Sequence, residues 1–172
     1  LMTEHGIDAV PLQHENMKTW RENFTGVAYT DPATSFTLFG AIDDLWQDNK
    51  SGEAIVVDYK ATSKSGEVTI DADWQIAYKR QMEFYQWLLR KNGLSVSDTG
   101  YFVYCNGRRD LERFDGKLEF NIKVIPYTGS DEWVENTLLE IFETLESDDV
   151  PPSDANCDHC KYIEEAAGVP KS

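Results

Sequence analysis

The sequence predicts an α/β fold, in which α-helices pack on a central mixed β-sheet. Apolar runs of strand length come in two pairs, and a helical pattern of apolar residues follows each pair. Helices that alternate with strands in this way bury their apolar faces by packing on the sheet. The predicted strands are 35–46, 53–61, 99–105 and 117–125, and the predicted helices are 73–91 and 132–145.

The first two strands are predicted to form a hairpin. The polar segment 48–52 between them contains Asp, Asn, Ser and Gly, which are typical of a tight turn. Residues 54–57 of the second strand, Ala-Ile-Val-Val, are apolar without alternation. Both faces of this strand are therefore expected to be covered.

The helix over 73–91 has the clearest signal. Its apolar stripe begins at Trp74 and Ala77 and runs to Leu89, and Asn92-Gly93 provides a stop. A shorter amphipathic helix is predicted over 14–23.

The composition indicates one folded domain spanning residues 1–172. Hydrophobic residues make up 41% of the chain, which is enough for a core. No apolar run is long enough to cross a bilayer and no signal peptide is visible, so no membrane association and a cytoplasmic location are expected. The first residue is Leu1 rather than an initiator methionine, which leaves open that an N-terminal segment is missing.

The net charge of −15 argues against strong nonspecific binding to the phosphates of nucleic acid. Acidic residues dominate the segment 130–150, which contains no Lys or Arg. Lys60, Lys64, Lys79 and Arg80 instead fall near the residues that we single out next. A locally basic groove is therefore compatible with the acidic total.

Two acids and a lysine lie at the ends of the first two predicted strands. Asp58 and Lys60 are two residues apart, so their side chains share one face of a strand. The hairpin would bring Asp43 beside Asp58, so that both carboxylates touch one cation. Oxygen ligands, with the Tyr59 carbonyl as a further one, suit Mg²⁺ or Mn²⁺ better than zinc. Such an ion beside a lysine is what a metal-dependent phosphodiesterase needs.

The alternative is that Asp43 and Asp58 are ordinary strand-end acids and that Lys60 is their ion-pair partner. A bare Asp-x-Lys pattern is short and common. However, an acid within a buried Val-Val-Asp-Tyr-Lys strand is unfavourable unless it is paired or bound to a metal.

Gln81 and Tyr85 are four residues apart and therefore share one face of the predicted helix. In a nuclease they would reach the metal-bound water or a substrate phosphate. Alternatively, Tyr85 is a core residue and Gln81 is its polar neighbour.

Taken in order, three segments resemble the motifs of PD-(D/E)XK nucleases of the RecB type, a group that includes the CRISPR-associated exonucleases. The segments are 40–43 (Gly-Ala-Ile-Asp), 57–62 (Val-Asp-Tyr-Lys-Ala-Thr) and 81–85 (Gln-Met-Glu-Phe-Tyr). The resemblance covers 36–91 by motif and the rest of the chain by architecture.

The resemblance implies a restriction-endonuclease-like fold and an exonuclease-like, Mg²⁺- or Mn²⁺-dependent hydrolysis of DNA. It implies that Asp43 and Asp58 bind the metal and that Lys60 assists catalysis. It also implies that Gln81 and Tyr85 support the site and the substrate.

Two departures from the family pattern concern the metal ligands. The family often has Glu where this chain has Asp58. It also commonly places a His on an upstream helix, and neither His5 nor His14 is placed there by a motif.

Lys64, Lys79 and Arg80 are candidates for contacts with the DNA backbone. For each of them, solvated surface charge is an equally good interpretation.

Cys157 and Cys160 form a C-x-x-C motif in the tail 151–172, which is predicted to be irregular. They resemble the tail of family members that hold an iron–sulfur cluster with four cysteines. Cys105 is the one further cysteine, so a cluster is expected only if more cysteines lie outside this sequence. A zinc site completed by His159 would be geometrically awkward.

Three functions compete on these observations. We favour a metal-dependent deoxyribonuclease, because every expected motif residue is present. The alternative is a catalytically inactive, nuclease-like binding module in a DNA-processing, phage or CRISPR-type assembly, which the acidity of the chain favours. A redox function of the C-x-x-C is the weakest, since an irregular tail gives no cause for thiolate activation.

Overall fold

The computed structural model describes residues 1–113 and 115–168. The chain divides into two compact units, Leu1–Val134 and Glu135–Ser172. The strands are β1 (Ala9–Pro11), β2 (Val27–Thr30), β3 (Thr37–Gly40), β4 (Asp44–Asp48), β5 (Ala54–Thr62), β6 (Thr99–Gly107) and β7 (Phe120–Thr128). The helices are α1 (Met17–Trp20), α2 (Ile76–Lys91), α3 (Trp133–Glu146) and α4 (Asp158–Ala167), and 3₁₀ turns lie at Thr3–His5 and Asp73–Gln75.

The first unit is built on a five-stranded sheet in the order β1-β4-β5-β6-β7. β5 pairs parallel with β6, and the other neighbours pair antiparallel. The sheet is thus mixed, and the predicted α/β class is confirmed. Within the described residues, no helix is long and apolar enough to cross a membrane.

β5 lies in the middle of the sheet and is covered on both faces, as its continuous apolar run predicts. Residues 54–57 are all buried. Ile55 and Val57 belong to a cluster against which the N-terminal residues Met2 and Ile7 pack. α2 contacts β5 as well as the small sheet formed by β2 and β3.

The predicted strand 35–46 is wrong in one respect, because it consists of two strands in different sheets. β3 pairs with β2, whereas β4 pairs with β5 in the central sheet. Between them the backbone N–H of Ile42 donates to the carbonyl of Trp20 in α1 rather than to a strand. The chain leaves the small sheet here, and Asp43 is the last residue before β4.

Other differences concern short elements and the tail. The three- and four-residue strands β1 and β2 were not predicted, and the helix expected over 14–23 is the single turn α1. The tail from 151 was expected to be irregular, but it contains α4.

The predicted helix 73–91 begins as a 3₁₀ turn, and its first two stripe residues face solvent. Trp74 and Ala77 are exposed, whereas Met82, Leu88 and Leu89 are buried. The helix ends as predicted, with Gly93 at a positive φ of 85°. Its N–H donates to the carbonyl of Arg90.

Candidate active site

The predicted hairpin places Asp43 beside Asp58. Asp44 lies opposite Val57 in the β4–β5 pair, so the residue before β4 falls next to Asp58. The Asp43 carboxylate accepts a hydrogen bond from the backbone N–H of Tyr59, with an N–Oδ2 distance of 2.7 Å. This bond orients the Asp43 side chain toward β5, just before the first residue of β4 that pairs with β5.

Asp58 and Lys60 form an ion pair on one face of β5. The distance from Lys60 Nζ to Asp58 Oδ2 is 2.7 Å, and the side chains are 19% and 5% exposed. The same Oδ2 atom is buried and accepts no well-aligned hydrogen bond from any described residue. The ammonium therefore compensates the charge of Asp58 by proximity, but it does not satisfy the oxygen as an aligned donor would.

Burial raises the pKa of the Asp58 carboxyl above its ordinary value of 3.8. The neighbouring Lys60 ammonium lowers this pKa in opposition, and the negative charge of Asp43 adds to the rise. The ionised form of Asp58 is therefore costly to hold in the folded chain, which is typical of groups kept for function.

α2 contributes a polar chain that ends on Lys60. Lys60 Nζ donates to Gln81 Oε1 at 3.3 Å, and Gln81 Nε2 donates to the Tyr85 hydroxyl at 2.9 Å. Burial is the main cause of a raised Tyr85 pKa, and the charges of Asp58 and Asp43 add to it. The predicted residues Gln81 and Tyr85 are thus brought together with Lys60.

Gly40 makes room for this arrangement. A Cβ at position 40 would lie 2.6 Å from Cε1 of Tyr85. The absence of a side chain in β3 thus allows the Tyr85 ring to lie directly against the strand.

Asp44, which the sequence analysis did not select, forms a second polar group next to Asp43 in the chain. Its carboxylate pairs with Arg21 and accepts a hydrogen bond from the Tyr59 hydroxyl at 3.0 Å. Burial, followed by the charge of Asp44, raises the pKa of Tyr59 to about 12. The adjacent acids Asp43 and Asp44 were the available signal. The sequence does not show that Asp43 accepts from the Tyr59 N–H, whereas Asp44 pairs with Arg21 and accepts from the Tyr59 hydroxyl.

The histidines lie outside this group of contacts. His14 stacks on Trp20 with a centroid distance of 4.3 Å, and its Nδ1 accepts a hydrogen bond from the N–H of Asn16. His5 ends the first 3₁₀ turn. The structure thus gives His14 a packing role.

The three candidate DNA-binding cations divide into two groups. Lys64 Nζ lies 5.6 Å from the ring centroid of Trp74. Lys79 and Arg80 lie over the rings of Tyr127 and Trp133, at 5.7 and 5.6 Å.

Cys157 and Cys160 lie at the start of α4, in the second unit. Cys157 is the N-cap residue, and its sulfur accepts a hydrogen bond from the N–H of Cys160. Hydrogen bonds from Cys160 lower the pKa of the Cys157 thiol. The prediction that the C-x-x-C motif lies in an irregular segment is therefore wrong, since both cysteines lie at the start of a helix. Cys105 is half-buried in β6.

The two carboxylates of Asp43 and Asp58 could hold a divalent metal ion that keeps part of its water shell. No group of three or more His, Cys, Asp or Glu side chains suited to a metal occurs in residues 1–113 or 115–168. Mg²⁺ retains several waters and is commonly bound through one or two carboxylates. The oxygen donors of Asp43 and Asp58, with the incompletely satisfied Oδ2, fit that chemistry.

The family model of the PD-(D/E)XK nuclease superfamily matches residues 4–164. Neither a curated protein nor a solved structure matches the chain. PD-(D/E)XK nucleases generally use divalent metals such as Mg²⁺ or Mn²⁺. The family match spans nearly the whole chain, and the central sheet has the mixed architecture of this fold. The chain therefore belongs to the PD-(D/E)XK nuclease superfamily.

Proposed function

We propose that this chain is a Mg²⁺- or Mn²⁺-dependent deoxyribonuclease of the exonuclease type. The observation that carries the proposal is the buried Asp58 carboxylate, whose Oδ2 has no aligned donor although Lys60 lies 2.7 Å away. A fold gains little stability from such a group, because a buried carboxylate is stabilising only when it is fully paired. A role in binding a cation accounts for its presence.

We assign the cation to the carboxylates of Asp43 and Asp58 and the backbone carbonyl of Tyr59. The N–H and C=O of a strand residue point toward the same neighbouring strand. Since the Tyr59 N–H meets the Asp43 carboxylate, we expect its carbonyl to face the same side. A bound divalent ion polarises the phosphoryl group and lowers the pKa of a coordinated water.

Lys60 is the proposed catalytic cation. Its ammonium lies between Asp58, Gln81 and the ring of Tyr78, whose centroid is 4.4 Å from Nζ. Several contacts therefore fix its position before substrate binds. A cation held in this way stabilises negative charge that develops on the phosphate without reorganising during the reaction.

Gln81 and Tyr85 are proposed as positioning residues. The Gln81 amide accepts from Lys60 and donates to the Tyr85 hydroxyl, so it holds the ammonium in place. The exonuclease assignment rests on the order of these motifs, which is that of RecB-type nucleases.

DNA is the proposed substrate, with Lys64 as a contact to its backbone. Lys64 is exposed and follows β5 two residues after its end. The cations of Lys79 and Arg80 instead lie over rings that neighbour Glu83, and we assign them mainly to packing.

Cleavage of DNA labelled separately at each end tests the proposal. Wild type, Lys60→Ala and Asp58→Ala are compared with Mg²⁺, Mn²⁺ and EDTA. We expect metal-dependent release of mononucleotides or short products from one end, and a loss of about 10²-fold or more in both variants.

Glu15→Ala is the matched control, because Glu15 is exposed, and it should cut like wild type. Equal cutting by all variants would indicate a contaminant and contradict the site. Folded wild type that binds DNA without cutting it would favour the inactive binding module, which the net charge of −15 and the acidic segment 130–150 also favour.

A further inference from the structure

An exposed aromatic side chain lies close to the proposed active site. Trp74 is 58% exposed, although its place in the apolar stripe of the helix predicts burial. Its indole contacts the Tyr78 ring edge-on, with a centroid distance of 5.5 Å. A large exposed ring held in one orientation provides a flat apolar surface for a planar ligand.

Two successive contacts connect Trp74 with the proposed catalytic lysine. Trp74 contacts Tyr78, and the Tyr78 ring lies 4.4 Å from Lys60 Nζ. Lys60 in turn pairs with Asp58. A ligand on the indole would therefore lie next to the place where the scissile phosphate is expected.

The turn that presents Trp74 is anchored by its neighbour. The buried amide of Gln75 donates to the carbonyl of Thr69 at 2.8 Å and accepts from the N–H of Ala72 at 3.0 Å. These bonds fix the 3₁₀ turn Asp73–Gln75 independently of any ligand. A preorganised surface loses little entropy on binding.

Positive charge adjoins the indole in an otherwise acidic protein. Lys64 Nζ is 5.6 Å from the Trp74 ring. The Lys64 backbone is held by Asn106, whose Oδ1 accepts from its N–H at 2.8 Å and whose Nδ2 donates to its carbonyl at 3.1 Å. Lys64 also lines a cleft with Arg109 and with Arg108, although Arg108 is paired with Asp110 and Glu119. The chemistry of this surface matches a ligand with planar apolar faces and negative charges.

We propose that Trp74 stacks on an unpaired base of single-stranded DNA, while Lys64 contacts the adjoining phosphate. The inference rests on the proposed function and extends it to substrate preference. Base faces are accessible for stacking in a single strand, whereas in a duplex they are covered by neighbouring bases. Trp74 is thus a positioning residue that favours a single-stranded segment next to the scissile bond.

Binding of labelled oligo(dT) and of a blunt DNA hairpin tests this inference. Affinities are measured by fluorescence anisotropy in Ca²⁺, with recovery of intact DNA afterwards. Trp74→Ala should weaken oligo(dT) binding about 10-fold, and Trp74→Phe should lose less because it retains a ring. Binding of the hairpin should change less than twofold in both variants.

Phe24→Ala is the matched control, because Phe24 is 94% exposed and has no part in the proposed site. It should bind oligo(dT) like wild type. A general loss of apolar surface would affect this control and Trp74→Ala alike, and would contradict the proposal.

Abasic substitutions in the oligonucleotide provide a test that does not depend on the folding of a variant. Removal of one base near the bound end should weaken binding to wild type about 10-fold. The same change should have little further effect on binding to Trp74→Ala, which has no ring on which a base can stack. In a double-mutant cycle, this non-additivity would show that the base and the indole interact. Equal penalties at every position would overturn the stacking.

The outcomes separate this inference from the nuclease assignment. If wild type cuts DNA and Trp74→Ala binds oligo(dT) equally well, the stacking is overturned and the nuclease stands. If Trp74→Ala loses affinity but wild type does not cut DNA, the stacking stands and the catalytic proposal fails. Absence of oligo(dT) binding by wild type would overturn the stacking, and the cleavage assay with Mg²⁺ or Mn²⁺ would decide the nuclease assignment separately.

Discussion

Asp58 and Glu83 are both buried carboxylates of the first unit, and they differ in what surrounds them. Glu83 accepts hydrogen bonds from the Tyr127 hydroxyl at 2.5 Å, from Trp133 Nε1 at 2.7 Å and from the N–H of Ser130 at 3.4 Å. Asp58 has an ammonium neighbour and a buried oxygen without an aligned donor.

The difference is the one expected between a structural acid and the acid that we propose binds a cation. Each Glu83 oxygen is satisfied by groups from the β7 and α3 region, so Glu83 links α2 to distant parts of the chain. Burial, followed by the hydrogen bond to Glu83 and its negative charge, raises the pKa of Tyr127 to about 12. The Asp58 Oδ2 atom is buried with the Lys60 ammonium beside it and no aligned donor, which is costly in the folded state.

The largest stability effect is expected at Glu83. Glu83→Ala leaves the half-buried Tyr127 hydroxyl and Trp133 N–H without their acceptor, which should lower the free energy of unfolding by about 2–4 kcal/mol. Urea unfolding measures this loss. Glu15→Ala, at an exposed position, should change it by less than about 0.5 kcal/mol. A Glu83→Ala effect as small as that of the control would contradict the structural role.

A pair of glycine substitutions sharpens the contrast between the two sites. A Cβ at Gly40 would lie 2.6 Å from the Tyr85 ring, and a Cβ at Gly129 would clash with the Glu83 carboxylate. Gly129→Ala should lower the free energy of unfolding by about 1–3 kcal/mol and leave the cleavage rate of the folded protein unchanged. Gly40→Ala should reduce cleavage about 10-fold, because it displaces the chain from Tyr85 through Gln81 to Lys60.

Cleavage rate and unfolding midpoint are measured together for both glycine variants. Gly66→Ala is the control, because a Cβ at Gly66 would meet no atom within 4 Å. If both variants lost stability and activity in the same proportion, the two regions would not be separable.

Asp58 is expected to make the free energy of unfolding depend on pH. This effect should be smaller than the loss caused by Glu83→Ala. Because the pKa of Asp58 is raised in the folded state above 3.8, the folded chain retains a proton that the unfolded chain releases. Stability contributed by this group is present below 3.8 and is lost as pH rises through the raised pKa. In EDTA at pH 7, Asp58→Asn should therefore be more stable than wild type, and the difference should shrink on acidification.

Unfolding in urea at several pH values checks this sign. Lys60 offsets part of the cost of the charge, so the gain is expected to be smaller than the losses at Glu83. A variant that is less stable than wild type at pH 7 would mean that the ion pair with Lys60 outweighs the burial of Asp58.

The smallest effect is expected on the salt dependence of DNA binding. Lys64→Ala should weaken binding a few-fold and reduce the salt slope by about one ion. Lys79→Ala should change neither, because its ammonium lies over the Tyr127 ring next to Glu83. Equal slopes for the two variants would remove the distinction between these cations.

The central part of the fold could be predicted because its signals are local. The uninterrupted apolar run of β5 and the Asn92-Gly93 stop of α2 need no knowledge of distant contacts. The polar turn 48–52 predicts the hairpin, and the hairpin brings Asp43 to Asp58. The roles of these residues in catalysis and metal binding remain predictions for the experiments above.

The short elements could not be predicted, since their stability comes from pairing rather than from their own residues. β1 has three residues and β2 has four, and each exists through its partner strand. The break before β4 depends on a hydrogen bond from Ile42 to Trp20. Propensity alone gives no reason for a turn at that point.

The amino-acid order alone therefore determines the class of the fold, the buried strand and the order of the motif residues. Tertiary structure decides which buried acid is satisfied. In the sequence, Asp58 and Glu83 are both acids within apolar segments, but the hydrogen-bond donors to Glu83 lie 44 to 50 residues away along the chain. It also decides that Trp74 faces solvent beside Lys64. Burial and hydrogen bonding are properties of neighbours in space, which a periodic pattern along the chain does not specify.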